Sequence, residues 1–489
     1  MPTAPHAIDA LLHELVRRRA SDLHLKPKRP PLVRVDGRLI EVEGAALEPA
    51  EIERLLDPII PEHLRERLRR ELAIDFGYGL EGVSRFRASV YYQRGTRAAV
   101  FRRVPFDFPG LEDWGLPPVL SRFCEAAQGL VLITGPTGSG KSSTLAALIR
   151  RVAGTRRHHV VTIEDPIEFL IADDLASVSQ REIGIDTPSF STALRSILRQ
   201  DPDVIMVGEM RDPETIRTVL TAAETGHLVF STLHTNGAAQ TVDRIMNDFP
   251  EGSHRQLRQQ LAACLEGIVS LQLLPRAGGT GMVAAVEILR RSPRISKLIL
   301  EGKFELLAEE IESSVPYYKM QSMNQSLAAL LIHGAIARET ATAASPSPGD
   351  LDLLLRRIVG AGASSERGQG EEMAECTSDF SKILELQEIA KHHDELEARH
   401  AEELAERDRS IAELRAELSR LADGAGEAAQ SAELRRLQAE NERIATQLGS
   451  AREEYEAKIE RLNLRLRELS SKVALDAEPD PGRKSLFRR

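Results

Sequence analysis

A glycine-rich segment between an apolar run and a helix-forming run is the strongest constraint on the fold of this chain. Residues 130–134 read LVLIT, which is typical of a buried strand, and residues 135–142 read GPTGSGKS. Glycines let backbone N–H groups curl around an anion, and a following helix adds partial positive charge. The pattern predicts a P-loop that binds a nucleoside triphosphate. The expected binding residues are Gly135, Pro136, Thr137, Gly138, Ser139, Gly140, Lys141, Ser142 and Ser143.

Two side chains of this segment carry its expected chemistry. Lys141 is expected to reach the β- and γ-phosphates, and the hydroxyl of Ser142 is expected to ligate Mg²⁺. The alternative is a chance glycine-rich turn, but the strand, the spacing, the lysine and the serine all occur together. ATP and Mg²⁺ are therefore the predicted cofactors.

Composition narrows the class of protein. With 489 residues, 42% of them hydrophobic, the chain is long enough for about three domains. A net charge of −10 does not favour nucleic acid as a partner, and three widely spaced cysteines fit a reducing compartment. The sequence has neither a signal-like N-terminal run nor an apolar stretch of about 18 residues. We expect a cytoplasmic protein that reaches a membrane only through partners.

Apolar runs alternate with helix-forming segments in the middle of the chain, most clearly at 160–163, 204–207 and 227–231. This alternation predicts an α/β fold with a parallel sheet flanked by helices. The N-terminal region combines an amphipathic helix with a hairpin signal at 32–37 and an alternating strand at 84–91, which indicates a small α+β domain. The predicted organisation is an N-terminal domain at 1–106, a linker at 107–118, an α/β domain at 119–290, a helical region at 291–357, a flexible linker at 358–378, a coiled coil at 379–475 and a basic tail at 476–489.

The C-terminal region repeats apolar residues at steps of three and four. The pattern runs through Leu404, Leu414 and Leu421, is interrupted at 423–426, and continues to Val473 with Asn441 in the seam. Such spacing is typical of a coiled coil, in which a buried amide fixes the register. The alternatives are a single charged helix or a disordered tail.

Acidic residues follow two of the predicted strands. Glu209 ends the predicted strand segment at 203–209, and Glu164, Asp165 and Glu168 follow the strand at 160–163. Ligands of open α/β sheets bind at the carboxyl ends of the strands, so we expect these carboxylates beside the phosphates and the attacking water.

Two histidines flank the strand at 228–233. The spacing of His227 and His234 does not suit a metal site. We interpret them as sensors of the γ-phosphate or of a subunit contact.

Four segments in order resemble the signature boxes of the type II and type IV secretion ATPases. After the P-loop, residues 162–169 resemble the Asp box, 199–212 the Walker B region and 225–235 the His box. Over about residues 5–357 the chain is most similar to the type IV pilus retraction ATPases of the PilT and PilU type. The resemblance implies a PAS-like N-terminal domain, a RecA-like ATPase domain and a homo-hexameric ring.

The resemblance also assigns roles to residues. It implies that Glu209 is the Walker B acid and belongs to the Mg²⁺ site together with Ser142. It also implies that Glu168 polarises the attacking water. Glu164 and Asp165 are secondary catalytic candidates, beside Lys141 and His234. The family takes arginines that act across a subunit boundary from its N-terminal domain, and the alternative for each is a solvated surface arginine. The corresponding residues here are Arg85, Arg87, Arg94, Arg97 and Arg102.

Departures from the family pattern favour the accessory PilU-like branch. Residues 293–298 read PRISKL and lack the Arg-Asn core of the Ala-Ile-Arg-Asn-Arg-Leu motif of PilT-type motors, while 271–276 and 350–356 look more like PilU. The expected partners are further copies of the chain, a pilus platform protein of the bacterial inner membrane, a PilT-type retraction ATPase and an unknown protein that binds the coiled coil.

Two other functions stay open from the sequence. An ATPase for pilus assembly or type II secretion usually carries a tetracysteine zinc element and a longer N-terminal region, and both are missing in this sequence. A regulator or scaffold would work through the coiled coil, although intact Lys141, Glu168 and Glu209 argue against an inactive enzyme.

Overall fold

The N-terminal part of the chain forms an antiparallel sheet of six strands in the order β3-β2-β1-β6-β5-β4. The computed structural model describes residues 7–35, 37–80, 82–105, 108–279, 281–361 and 378–422, with isolated residues between 435 and 446. The N-terminal elements are α1 (Ala7–Arg17), β1 (Asp22–Leu25), β2 (Leu32–Val35), β3 (Arg38–Glu41), α2 (Pro49–Leu56), α3 (Glu62–Glu71), β4 (Ala73–Leu80), β5 (Ser84–Gln93) and β6 (Thr96–Val104).

Local patterns explain this first sheet. The predicted hairpin is confirmed, because β2 and β3 pair antiparallel from Leu32 opposite Glu41. The predicted alternating strand is β5, in which every second side chain, including Phe86, is buried. The apolar face of α1 packs into the same core through Ile8 and Leu12.

A second sheet of seven strands follows in the order β13-β12-β7-β11-β10-β8-β9. Its neighbouring strands pair parallel except β12 and β13, which a short connection at 276–281 joins as an antiparallel pair. Its elements are β7 (Gly129–Thr134), α4 (Lys141–Thr155), β8 (His159–Glu164), β9 (Ser177–Glu182), α5 (Phe190–Ile197), β10 (Val204–Val207), α6 (Pro213–Glu224), β11 (Leu228–Leu233), α7 (Ala238–Asn247), α8 (His254–Cys264), β12 (Leu265–Pro275) and β13 (Met282–Arg290), with 3₁₀ turns at Pro118–Glu125 and Glu251–Ser253.

Both faces of this sheet are covered. Leu130 and Leu132 of β7 belong to one hydrophobic cluster, and Val131 and Ile133 belong to another. Because side chains alternate along a strand, the two clusters lie on opposite faces. The predicted α/β architecture is confirmed, with one antiparallel edge strand that the sequence did not predict.

The segment predicted as a linker at 107–118 is packed rather than loose where the structure describes it. Phe108, Leu111 and Leu116 are buried in the same cluster as the apolar face of α4. The guanidinium carbon of Arg150 lies 4.5 Å from the centre of the Phe108 ring. This segment therefore joins the core of the second sheet.

Short helices follow the second sheet: α9 (Pro293–Glu301), α10 (Leu307–Ser313), α11 (Val315–Tyr318), α12 (Met323–Ile332), α13 (Arg338–Ala344) and α14 (Pro348–Ala361), with a 3₁₀ turn at Phe304–Leu306. Hydroxyl groups begin two of them, since Ser292 accepts a hydrogen bond from the Ile295 N–H and Ser322 forms a capping box with Gln325. The PRISKL segment thus forms the start of α9.

The end of the predicted flexible linker is anchored. Ser378 is fully buried, and its carbonyl accepts hydrogen bonds from Gln321 Nε2 at 2.8 Å and from Ser326 Oγ at 3.3 Å. Its N–H donates to the carbonyl of Gly115 at 3.3 Å. Ser378 therefore belongs to the same compact unit as the two sheets.

A second compact unit contains α15 (Phe380–Ala422), one continuous helix of 43 residues. It coincides with the first part of the predicted coiled coil, and the pairing of helices stays a prediction. The break at 423–426, the seam residue Asn441, the later heptads and the basic tail at 476–489 lie outside the described residues. In the described part of the chain, no helix combines the length and the apolar character that a membrane span requires.

Candidate active site

The loop between β7 and α4 has the backbone of an anion-binding turn. Gly138 and Gly140 adopt left-handed conformations with φ of 80° and 93°. A Cβ atom at Gly135 would lie 2.4 Å from the carbonyl oxygen of Leu271. Only glycine fits this close approach between the loop and β12.

Lys141 is held within this loop. Its Nζ donates hydrogen bonds to the carbonyl oxygens of Gly135 at 2.9 Å and Pro136 at 2.8 Å. Burial lowers the pKa of the Lys141 ammonium, and the carboxylates of Glu209 and Glu168 act in the opposite direction. A cation kept at the start of a helix beside two carboxylates is suited to receive a phosphate with its metal.

A cleft of about 600 Å³ opens beside this lysine at the carboxyl edge of the second sheet. The structure brings together most of the residues that the sequence predicted. Among the lining residues are Thr137, Gly138, Gly140, Lys141, Ser142, Ser143, Glu164, Asp165, Glu168, Glu209, Arg211 and His234.

Glu209 lies just beyond β10 and is largely buried. Its Oε1 is 2.6 Å from Nε of Arg211, and its Oε2 is 3.7 Å from Nε2 of His234. Arg211 was not among the predicted site residues, although its position two residues after the acid was a usable signal. The side chain of Arg211 is 70% exposed, whereas that of Glu209 is only 13% exposed, so Arg211 supplies a cation to a largely buried carboxylate.

The two histidines take different positions. His234 lies in the cleft, with Nδ1 3.5 Å from Lys141 Nζ. His227 precedes the first residue of β11, and its Nδ1 lies 2.9 Å from the carbonyl oxygen of Ala222. Because a strand of six residues spans about 20 Å, the structure does not bring His227 to the cleft.

The Asp-box carboxylates differ in their surroundings. Glu164 is buried, and its Oε1 accepts hydrogen bonds from Thr162 Oγ1 at 2.8 Å and from Gln180 Nε2 at 2.9 Å. Burial raises the pKa of Glu164 to about 7, although both hydrogen bonds oppose the shift. Glu168 lines the same cleft but is exposed. The two carboxyl groups therefore differ in burial, although both line the cleft.

The loop that follows β8 and carries Asp165 and Glu168, here called the acidic loop, is supported by strand β9. The sequence did not predict this support. Gln180 Nε2 also donates to the carbonyl of Phe169 at 2.9 Å, and Gln180 Oε1 accepts from the Ile171 N–H at 2.9 Å. Glu182 Oε2 accepts from the Ile167 N–H at 3.4 Å. The only sequence signal was the polar composition of the strand, SVSQRE, in an otherwise apolar sheet.

The five arginines predicted to act across a subunit boundary divide into two groups. Arg87 is exposed on β5, and Arg94 is exposed in the turn between β5 and β6. The other three bond to carboxylates of their own chain: Arg85 to Glu182 at 3.0 Å, Arg97 to Asp57, and Arg102 to Asp22 at 2.8 Å.

Oxygen groups in the cleft fit a hard cation that arrives with a nucleotide. Ser142 is the second residue of α4, and its hydroxyl lines the cleft together with the Glu209 carboxylate. Hydroxyl, carboxylate and phosphate oxygens are the ligands that Mg²⁺ uses in nucleotide sites. In the described part of the chain, no group of three or more His, Cys, Asp or Glu side chains is placed to hold a metal ion.

A parallel sheet with a P-loop after one strand and an acid after a nearby strand defines a P-loop nucleoside triphosphatase. Residues 113–293 match the family described as Type II/IV secretion system protein. The chain is 43% identical to the type IV pilus retraction ATPase PilT of Pseudomonas aeruginosa over 334 residues, which cover 68% of this chain and 96% of PilT. The chain belongs to the family of type IV pilus retraction ATPases, and it is an ATPase.

Two further comparisons refine this relationship. The chain is 37% identical over 348 residues to the type IV pilus ATPase PilU of Pseudomonas aeruginosa, covering 71% of this chain and 91% of PilU. A crystal structure of the pilus retraction motor PilT with bound ADP matches with a TM-score of 0.66 and 43% identity, covering 72% of this chain and 100% of that one. The resemblance read from the motifs is confirmed for the family. Because identity to PilT exceeds identity to PilU, the accessory branch stays a prediction.

Proposed function

We propose that this chain is a motor subunit that couples ATP hydrolysis to the retraction of a type IV pilus. One observation carries the proposal. The cleft at the carboxyl edge of the sheet combines the P-loop and its Lys141 with Glu168, Glu209 and His234, in a member of the retraction ATPase family. These groups can neutralise phosphate charge and orient a water molecule.

The residues of the cleft have separable tasks in this reaction. Lys141 exchanges the carbonyl oxygens of Gly135 and Pro136 for β- and γ-phosphate oxygens. Glu168 accepts a hydrogen bond from the attacking water and aligns it with the γ-phosphorus. Glu209 fixes the polar groups around the metal and keeps His234 beside the lysine. Mg²⁺, held by Ser142 and the nucleotide, would supply charge neutralisation when bound.

A homo-hexamer completes the proposed site. Arg87 and Arg94 are exposed, so they are better placed than the three carboxylate-bound arginines to reach a nucleotide on a neighbouring subunit. An active site completed by a neighbour requires assembly. Turnover per subunit should therefore rise with protein concentration, and light scattering should report the assembled ring. A strictly monomeric species with full activity would contradict the hexamer.

The motor is proposed to act on the cytoplasmic side of the bacterial inner membrane. Its expected partners there are the pilus platform protein, a PilT-type retraction ATPase if the chain is an accessory motor, and a protein that binds the coiled coil. Turnover and twitching measured with and without a PilT-type motor separate the two roles. An independent motor restores twitching alone, and an accessory motor restores it only together with PilT.

Phosphate release by the purified full-length protein tests the enzymatic half of the proposal. Lys141→Ala should lower turnover about 100-fold or more, because it removes the cation that neutralises phosphate charge. Lys26→Ala, an exposed lysine of the N-terminal domain, serves as the matched control. Undiminished hydrolysis by the Lys141 variant would refute the assignment of this cleft.

A further inference from the structure

We infer that Arg85 and Glu182 form a positioning pair through which the N-terminal sheet controls the orientation of the Glu168 carboxylate. The inference deepens the proposed ATPase function and rests on it. It gives Arg85 a task within its own subunit, distinct from a contact with the nucleotide of a neighbour. Neither residue lines the nucleotide cleft, so both act through the loop that carries Glu168.

The pair joins the two sheets of one chain. Nη2 of Arg85, on β5, lies 3.0 Å from Oε2 of Glu182, on β9. The side chain of Glu182 is only 5% exposed, and that of Arg85 is 25% exposed. A carboxylate buried to this degree needs its charged partner to stay ionised in place, because an unpaired buried charge destabilises the folded protein. Any movement of the N-terminal sheet that withdraws Arg85 therefore leaves Glu182 without its cation.

Glu182 also holds the backbone of the acidic loop, so a change at Arg85 can affect this loop through Glu182. The same oxygen that meets Arg85 also accepts the hydrogen bond of the Ile167 N–H at 3.4 Å. On the other side of Glu168, the carbonyl of Phe169 accepts a hydrogen bond from Gln180 at 2.9 Å. Both backbone neighbours of Glu168 are thus held by side chains of β9. When Glu182 turns away, one of these two supports weakens.

A glycine on the neighbouring strand makes room for the arginine. A Cβ atom at Gly77, on β4, would lie 2.5 Å from Nη2 of Arg85 and 3.0 Å from its Cζ. A methyl group at this position displaces the guanidinium without removing a charge. Gly79 lies two residues further along β4, and a Cβ there would have no heavy atom within 4 Å. The chain therefore offers a perturbing variant and a matched control on the same strand.

The first experiment compares Gly77→Ala with Gly79→Ala in the full-length protein. We expect Gly77→Ala to lower kcat for ATP roughly 10- to 100-fold with KM almost unchanged, because a misplaced Glu168 misaligns water but leaves the P-loop intact. Gly79→Ala should match the wild type. Equal kcat values for the two variants in a protein that hydrolyses ATP would overturn the inference and leave the proposed function standing. An inactive wild-type protein would refute both.

The second experiment separates positioning from a direct contact with phosphate. If Arg85 acts through Glu182, then Arg85→Ala, Glu182→Gln and the double variant should lower kcat by similar factors. If Arg85 instead contacts a nucleotide, the two losses multiply, which would overturn the inference. Arg85→Lys should restore part of the activity because it keeps the charge. ADP affinities close to wild type show that a lower kcat does not reflect misfolding of the nucleotide site.

Discussion

The ammonium of Lys141 lies 3.5 Å from Nδ1 of His234, whose other ring nitrogen lies 3.7 Å from Glu209. The imidazole thus stands between the phosphate-binding lysine and the acid after β10. Its Nδ1 is within hydrogen-bonding distance of the ammonium, and its Nε2 faces the carboxylate. His234 is therefore placed to respond when Lys141 moves to a phosphate.

Replacement of His234 by alanine should impair turnover more than nucleotide binding. Hydrogen bonds to charged groups contribute about 1.5–3 kcal/mol, so we expect kcat to fall roughly 10- to 100-fold. Steady-state phosphate release measures the effect, and His63→Ala, which changes an exposed histidine of α3, is the control. If the His234 variant had the same turnover as the control, His234 would not contribute to hydrolysis.

Glu168→Gln and Glu209→Gln should each retain nucleotide while losing cleavage. Both changes keep the size of the side chain and remove the charge that orients water or the metal, whereas the P-loop contacts of Lys141 stay in place. We expect about 100-fold slower hydrolysis with ADP affinity near that of the wild type. Fluorescent-nucleotide binding and phosphate release, measured on the same samples, test this expectation. If either variant failed to bind nucleotide, the replaced residue would have a role in binding rather than in catalysis.

The buried Glu164 should make stability depend on pH. Its pKa is raised from 4.5 to about 7 in the folded protein, so the native state binds more protons than the unfolded state between these values. Stability contributed by the group is present below pH 4.5 and is lost as the pH rises to about 7. The shift corresponds to a loss on the order of 3 kcal/mol.

Glu164→Gln removes this titration and keeps an oxygen for Thr162 and Gln180. The melting temperature of the variant relative to wild type should therefore increase between pH 5 and pH 8. A difference that stays constant over this range would contradict a titration of Glu164 near pH 7. Glu62→Gln, at an exposed position of α3, controls for general charge effects.

Two truncations should distinguish the contribution of the buried Ser378 to stability from the contribution of the following helix, α15, to turnover. A chain of residues 1–379 keeps Ser378, and we expect its basal turnover to match the full-length protein. A chain of residues 1–370 removes the acceptor of Gln321 Nε2 and Ser326 Oγ, together with a fully buried residue. Loss of such a buried partner costs about 1–3 kcal/mol, so its melting temperature should be lower. Equal melting temperatures would contradict the anchoring, and loss of hydrolysis in the 1–379 chain would make the C-terminal helix part of the motor.

Local sequence patterns predicted the P-loop, β7, β8, β10 and β11, because their chemistry is contained in a few consecutive residues. The supports of the acidic loop were not predictable in this way. Gln180 and Glu182 act on a loop that lies before them in the chain, and a polar strand such as β9 carries no apolar periodicity. His227 was grouped with His234 because both flank one strand, yet the length of that strand separates them.

β9 is the outermost strand of its sheet and, among the described residues, pairs only with β8. On its outer side β9 has no partner strand, and the N–H groups of Val178 and Glu182 donate to the side chains of Asp173 and Asp186 instead. We therefore expect β9 to open at a lower free energy than the central strands and to exchange its amide hydrogens faster. The two side chains that hold the loop of Glu168 belong to this strand. We therefore expect opening of β9 to limit how long the Glu168 carboxylate stays aligned, and ligands that slow hydrogen exchange in β9 should prolong this alignment.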